Sequence, residues 1–229
     1  YQFLSRIFWI DCPSCSPWGS REENGVGRFA DIDDRALAAI AKLGVSHVWY
    51  TGVIEHASPA NSPRTVVKGR AGSPYAISDY YDVNTELATD PARRLDEFRA
   101  LVERTHRAGL QVLIDFVPNH VARNYASDKK PAGVRDFGAD DDPGVAFSAM
   151  NNYYWLPGQD FVVPTGIHLP PEPDIGPAWC ETPARATGND VFSASPRADD
   201  WYETVKLNYG LDFSRGGVGC FVPIPDTCY

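Results

Sequence analysis

Leu110-Gln111-Val112-Leu113-Ile114-Asp115-Phe116-Val117-Pro118-Asn119-His120 is the stretch on which the fold turns. It opens as a short continuous apolar run, the pattern of a strand buried on both faces of a parallel sheet. It closes on a carboxylate, an amide and an imidazole, at what is predicted to be the C-terminal end of that strand. Ligands of α/β folds meet the protein at that end.

Upstream of this stretch, Gly109 is placed to stop a helix that begins at Asp90-Pro91, an N-cap followed by proline at the first helical position. Leu95, Phe98, Val102 and Thr105 recur on one face of it. Residues 55 to 79 are rich in Pro, Gly and Ser and too many for a plain connection, so they form a candidate functional loop. Val45 to Val53, around Val48-Trp49-Tyr50, reads as a second strand. Before it, Asp31, Asp33 and Asp34 put negative charge at a helix start, Leu37, Ile40 and Leu43 follow at helical spacing, and Gly44 ends the helix. Ser5-Arg6-Ile7-Phe8-Trp9-Ile10 reads as a first buried strand.

The order is therefore strand, helix, strand, helix, strand, with longer loops after the strands than before them. Successive βαβ units predict a parallel arrangement, and the loop asymmetry favours a (β/α) barrel over an open doubly wound sheet. From Val121 to about Thr204 no long helix is predicted, and aromatic patches such as Asn152-Tyr153-Tyr154-Trp155 indicate a packed, loop-rich insert rather than a disordered tail. Three strands do not close a barrel, so the chain is expected to be part of a larger protein. The expected division is 1–120 as barrel, 121–205 as insert and 206–229 as a return toward the barrel.

A composition of 43% hydrophobic and 22% charged residues is that of an ordinary globular protein. The net charge of −9 argues against a nucleic-acid partner, which requires a basic patch. No apolar run approaches the ~20 residues of a membrane span. The five cysteines, Cys12, Cys15, Cys180, Cys220 and Cys228, include one Cys-x-x-Cys pair but no second pair or His-x-x-x-His partner, so they predict neither a zinc site nor a compartment.

The motifs reached so far resemble the alpha-amylase family, glycoside hydrolase family 13. Leu113 to His120 is similar to that family's first conserved region, an apolar strand ending D-x-x-x-N-H. Ser73-Pro74-Tyr75-Ala76-Ile77-Ser78-Asp79-Tyr80 resembles its G-Y-x-x-x-D-Y segment, and Phe98 through Leu110 resembles its approach to strand three. Val205-Lys206-Leu207-Asn208-Tyr209-Gly210 stands where the family's short motif closes domain B. The resemblance implies a partial (β/α)8 TIM barrel, its first three strands, with an irregular domain B after strand three. It also implies a retaining mechanism, in which a carboxylate nucleophile and a carboxylic acid flank the glycosidic bond. In the family those carboxylates lie on later strands, and no apolar-G-F-R-x-D run follows the insert here. The catalytic pair is therefore expected beyond this chain.

By the resemblance, His120 hydrogen-bonds the sugar before the cleaved bond, Tyr75 stacks on the same sugar, and Asp115 supports the site by pairing with an arginine of the missing region. Asn119 matches a calcium ligand of many members. Further oxygens for that cation would come from the insert, with Asp160, Asp174 and Asp190 as candidates and calcium as the candidate cofactor. The plain alternatives are a satisfied core histidine, a packed tyrosine, a loop-capping aspartate and solvated acids. His47, His56, His106 and His168 have no assignable partners.

The function implied is an alpha-glucan-active glycosidase or glucanotransferase, with an alpha-linked glucan or oligosaccharide as partner and this chain alone inactive. The alternative is a non-catalytic carbohydrate-binding or scaffold protein of the same fold. A further alternative, an unrelated open α/β protein, would show strands without barrel curvature.

Overall fold

The computed structural model describes residues 1–8, 19, 21–59, 61, 66–69, 71–167, 180–212 and 220–221. The chain divides into two compact units, Tyr1–His56 with Asp79–Phe116, and Ala57–Ser78 with Val117–Tyr229. Residues 57–78, most of the long loop after the second strand, thus fall in one unit with the residues from Val117 onward.

The elements leading to the end of the first unit are β1 (Gln2–Leu4), α1 (Arg21–Asn24), α2 (Asp34–Ala41), β2 (His47–Thr51), β3 (Ile54–His56), β4 (Ile77–Val83), α3 (Arg94–Arg107) and β5 (Gln111–Ile114). Strands β1, β2 and β5 form a parallel sheet in that order, with Phe3 opposite Tyr50 and Trp49 opposite Leu113. The predicted helices are present, and local chemistry bounds them. Asp33 caps α2 by accepting from Ala36 N at 2.8 Å, and Gly44 leaves it at φ +78°. Asp90 accepts from Ala92 N ahead of a single 3₁₀ turn, Pro91–Arg93, that runs into α3. Arg104 and Arg107 in the last turn of α3 offset its negative dipole end.

One core cluster collects Leu37 and Ile40 from α2, Leu101 from α3, and Val48 and Tyr50 from β2. Full burial of a leucine such as Leu37 or Leu101 contributes roughly 1.5–3 kcal/mol. Tyr50 Oη meets Thr105 Oγ1 at 2.6 Å within this core. Two ion pairs link the loop elements to it, Arg6 with Glu86 and Arg94 with Asp82.

Three sequence expectations need correction. The first strand is Gln2–Leu4, not residues 5 to 10: Ser5–Ile7 is a 3₁₀ turn, Ile7 is 61% exposed, and Trp9 and Ile10 lie outside the described residues. Registry against Trp49–Thr51 selects the earlier residues, and local hydrophobicity does not encode that partner. The decisive strand is shorter than Leu110–Val117 and is not buried on both faces, since Leu113 and Ile114 are 46% and 42% exposed. A continuous apolar run reports what a strand can bury, and among the described residues these two side chains are only partly covered. Third, His120 is not the tip of that strand but the first residue of another.

The second unit contains β6 (His120–Ala122), β7 (Trp155–Leu156), β8 (Ala184–Arg185), β9 (Thr204–Lys206), β10 (Leu211–Asp212) and β11 (Cys220–Phe221), all in two-stranded antiparallel pairs. Its described residues include no helix. With so little regular backbone, side chains take over the fastening. Arg123, whose side chain is fully buried, holds Glu181 at 2.6 Å, donates to Tyr202 O at 2.5 Å, and lies 3.8 Å from the centre of the Phe161 ring. Arg185 holds the other oxygen of Glu181 at 2.8 Å. A small apolar cluster of Leu156, Phe161, Ala184 and Tyr202 packs beside this network.

Candidate functional site

The antiparallel pair β6–β9 sets His120 opposite Lys206. From there a line of polar contacts fixes the imidazole. Lys206 Nζ donates to Asn119 Oδ1 at 2.5 Å and pairs with Asp190 at 2.9 Å. Asn119 Nδ2 donates to Gly188 O at 2.8 Å and meets His120 Nδ1 at 2.9 Å. Because an ammonium only donates and a carbonyl only accepts, the orientation of the Asn119 amide is determined, and His120 Nδ1 must be the acceptor. The ring proton of neutral His120 therefore sits on Nε2. A backbone hydrogen bond with Tyr75 holds the ring as well.

His120 is buried, at 4% exposure. Burial and the Lys206 charge both hold its pKa below the usual imidazole range, and the Tyr75 bond opposes them only in part. It is accordingly a neutral hydrogen-bonding group at pH 7. Gly188 makes its position attainable, because a Cβ there would lie 2.4 Å from Thr204 Oγ1 and 2.8 Å from His120 Cγ.

His120 lines a cavity of about 470 Å³, within the range of small-molecule sites. Tyr75 and Trp201 contribute exposed rings to the same cavity, at 40% and 44% exposure. Lys68 and Glu203 contribute its charges, 3.8 Å apart. Glu203 is 4% exposed and its Oε2 has no hydrogen-bond partner among the described residues. Burial raises its pKa despite the opposing pull of its own backbone, Lys68 and Arg123.

Of the residues singled out in the sequence, Tyr75 and His120 therefore share one cavity. Asn119 stands directly behind His120. Asp115 lies in the first unit, where it accepts from Trp49 Nε1 at 2.5 Å, and its second oxygen is buried without a partner among the described residues. Of the three insert aspartates, Asp160 accepts from Thr182 Oγ1, Asp190 pairs with Lys206, and Asp174 lies outside the described residues. The donor set around Asn119 does not fit calcium, which needs about six to eight oxygens, because a lysine ammonium already occupies the amide oxygen. Among the described residues, the acidic side chains close enough to share a cation are Glu55, Asp79 and Asp82 in the first unit, and Asp82 is engaged by Arg94.

Sequence reasoning missed Trp201, Glu203, Lys206 and Gly188. Lys206 was within a quoted motif. The other three carry no local pattern, and only the folding of residues 187–206 onto β6 brings them to His120.

Comparison with known proteins agrees with the motifs. The family described as alpha amylase, catalytic domain, matches residues 20–159. Maltase 1 of Drosophila virilis is 39% identical over 200 residues, covering 84% of this chain and 23% of that protein. A glycogen debranching enzyme of Serratia proteamaculans is 30% identical over 179 residues, covering 68% of this chain and 25% of its own length. Among solved structures, an alpha-amylase from Lactobacillus plantarum is 31% identical, covers 43% of this chain and 20% of that one, and superposes with a TM-score of 0.34. The chain thus spans about a quarter of the length of the relatives it matches over most of its sequence. On the match over residues 20–159, the chain belongs to the alpha-amylase family.

Proposed function

We propose that this chain is the substrate-positioning part of an alpha-glucan-active glycosidase or glucanotransferase, acting on an alpha-linked oligosaccharide in the cavity of Tyr75 and His120. The observation that carries this reading is that those two motif residues, far apart in sequence, line one cavity of suitable size. Tyr75 offers a ring to the apolar C–H face of a sugar, and the neutral imidazole offers hydrogen bonding at a fixed orientation. Sheet β1-β2-β5 is read as the first three strands of a (β/α)8 barrel, residues 121–205 as domain B and residues 206–229 as a return toward the barrel. The second oxygen of Asp115, buried and without a hydrogen-bond partner among the described residues, suits a residue that pairs with an arginine supplied elsewhere in the protein.

Bond cleavage is assigned to carboxylates outside this chain. A retaining pair stands about 5–5.5 Å apart across the sugar, and Glu203 is the single carboxylate lining the cavity among the described residues. Calcium has no part in this reading, because Lys206 already serves Asn119 Oδ1.

Calorimetric titration of the 229-residue chain with maltotriose to maltohexaose, beside a reducing-sugar assay, tests the proposal. Binding that weakens in Tyr75→Ala and His120→Ala, with no sugar release above the His120→Ala control, is expected. Failure of the unaltered chain to bind would refute it. Binding without turnover by the longer protein would favour a non-catalytic carbohydrate-binding role.

A further inference from the structure

The exposure of Trp201 is at odds with its surroundings. An indole has much to gain from burial, and an apolar cluster containing its neighbour Tyr202 lies close by in the chain. Yet Trp201 remains 44% exposed at the cavity. Its backbone keeps it there. The Trp201 amide donates to Asn189 Oδ1 at 3.1 Å, and its carbonyl accepts from Thr204 N at 3.0 Å and Thr204 Oγ1 at 2.8 Å. Asn189 is itself held by Thr187 at 2.7 Å and Asp200 at 3.0 Å. Asp200 is held in turn by the Arg197 amide at 2.7 Å. Both sides of the residue are therefore anchored, and the indole is presented rather than left loose. Part of the ring packs on His120, with centroids 5.1 Å apart and planes tilted by 58°. The rest faces the cavity.

We infer that Trp201 is a substrate-positioning residue, whose indole stacks on a sugar ring of the bound oligosaccharide while its edge holds the plane of the His120 imidazole. The inference rests on the proposed function of the cavity and extends it to a residue from the insert. A planar apolar surface beside hydrogen-bonding groups suits a pyranose, which presents a C–H face and an equatorial belt of hydroxyls. It does not suit an extended alkyl chain, because Lys68, His120 and Glu203 share the lining.

The test is calorimetry of the 229-residue chain with maltotriose, using Trp201→Ala and Trp201→Phe. Trp201→Ala should weaken binding about five- to tenfold, the equivalent of losing one aromatic contact, and Trp201→Phe should restore most of it. Tryptophan fluorescence supplies a readout independent of the alanine variant: maltotriose should change the emission of the unaltered chain but not that of Trp201→Phe, although that variant still binds. Affinity unchanged in Trp201→Ala, with Tyr75→Ala and His120→Ala still weakened, would overturn the role of Trp201 alone. Absence of maltotriose binding by the unaltered chain would overturn this inference and the proposed function together.

Discussion

Replacing Lys206 by methionine isolates the role of the charge behind His120. Methionine keeps most of the stem and removes the ammonium. Asn119 Oδ1 then loses its donor in a partly buried setting, which costs about 1–3 kcal/mol. The contact with Asp190 adds little, about 0–1 kcal/mol, because that carboxylate is 55% exposed. A net destabilisation of about 1–3 kcal/mol is therefore expected near neutral pH. The loss also has a signed pH dependence. Folded His120 titrates below the unfolded value of about 6.5, so the unfolded chain binds more protons in the window beneath it. The stability associated with neutral His120 is present above that value and is lost as pH falls through the window. Lys206 is the second largest cause of the depressed pKa, so its removal should raise the titration of His120 and narrow the window. The deficit of Lys206→Met should then shrink from pH 8 toward pH 5. Urea unfolding followed by fluorescence, with the His120 ring titrated by NMR, measures both effects. A variant as stable as the original at pH 7.5, or a His120 titration that does not move, would refute the reasoning.

Arg123→Met should destabilise by about 3–5 kcal/mol, since it leaves Glu181 buried with only Arg185 as partner; a shift in urea midpoint under half that size would mean water reaches Glu181. Glu203→Gln should stabilise at pH 7–8 and have no effect near pH 4. The raised pKa of Glu203 means that its ionisation opposes folding as pH rises, and thermal midpoints measured across pH 4–8 check the sign. Gly188→Ala should cost about 1–3 kcal/mol and abolish maltotriose binding, because its methyl would overlap His120 and Thr204; an unmoved His120 resonance would count against this. Neither calcium nor a chelator should change the thermal midpoint by as much as 1 kcal/mol would, about 2–4 °C, and a larger shift would restore Asn119 as a calcium ligand.

Local pattern made much of the first unit legible. Asp33, Asp90-Pro91, Gly44 and Gly109 act through nearest neighbours, so α2 and α3 were readable from the chain, as was their alternation with parallel strands. The motif residues Tyr75 and His120 were identifiable for a similar reason: each sits in a short string of residues with a recognisable order. The first strand was misplaced because registry is a property of two segments. Gln2–Leu4 is a strand by virtue of Trp49–Thr51, while Ser5–Ile7, at the start of a more apolar run, forms a 3₁₀ turn.

Long-range assembly decided the rest. Asn119 is the clearest case: its position in the D-x-x-x-N-H motif suggested a metal ligand, but the residue that meets its oxygen is Lys206, 87 positions later. Trp201, Glu203 and Gly188 became part of the candidate site only when β9 paired with β6. Sequence by itself determined the family, the helices and the polar end of Leu110–His120, because these depend on residues adjacent in the chain. The tertiary structure alone decided that His120 starts a strand of its own, neutral and held from behind by an ammonium, because burial and charge at a point in space are set by whatever the fold brings there.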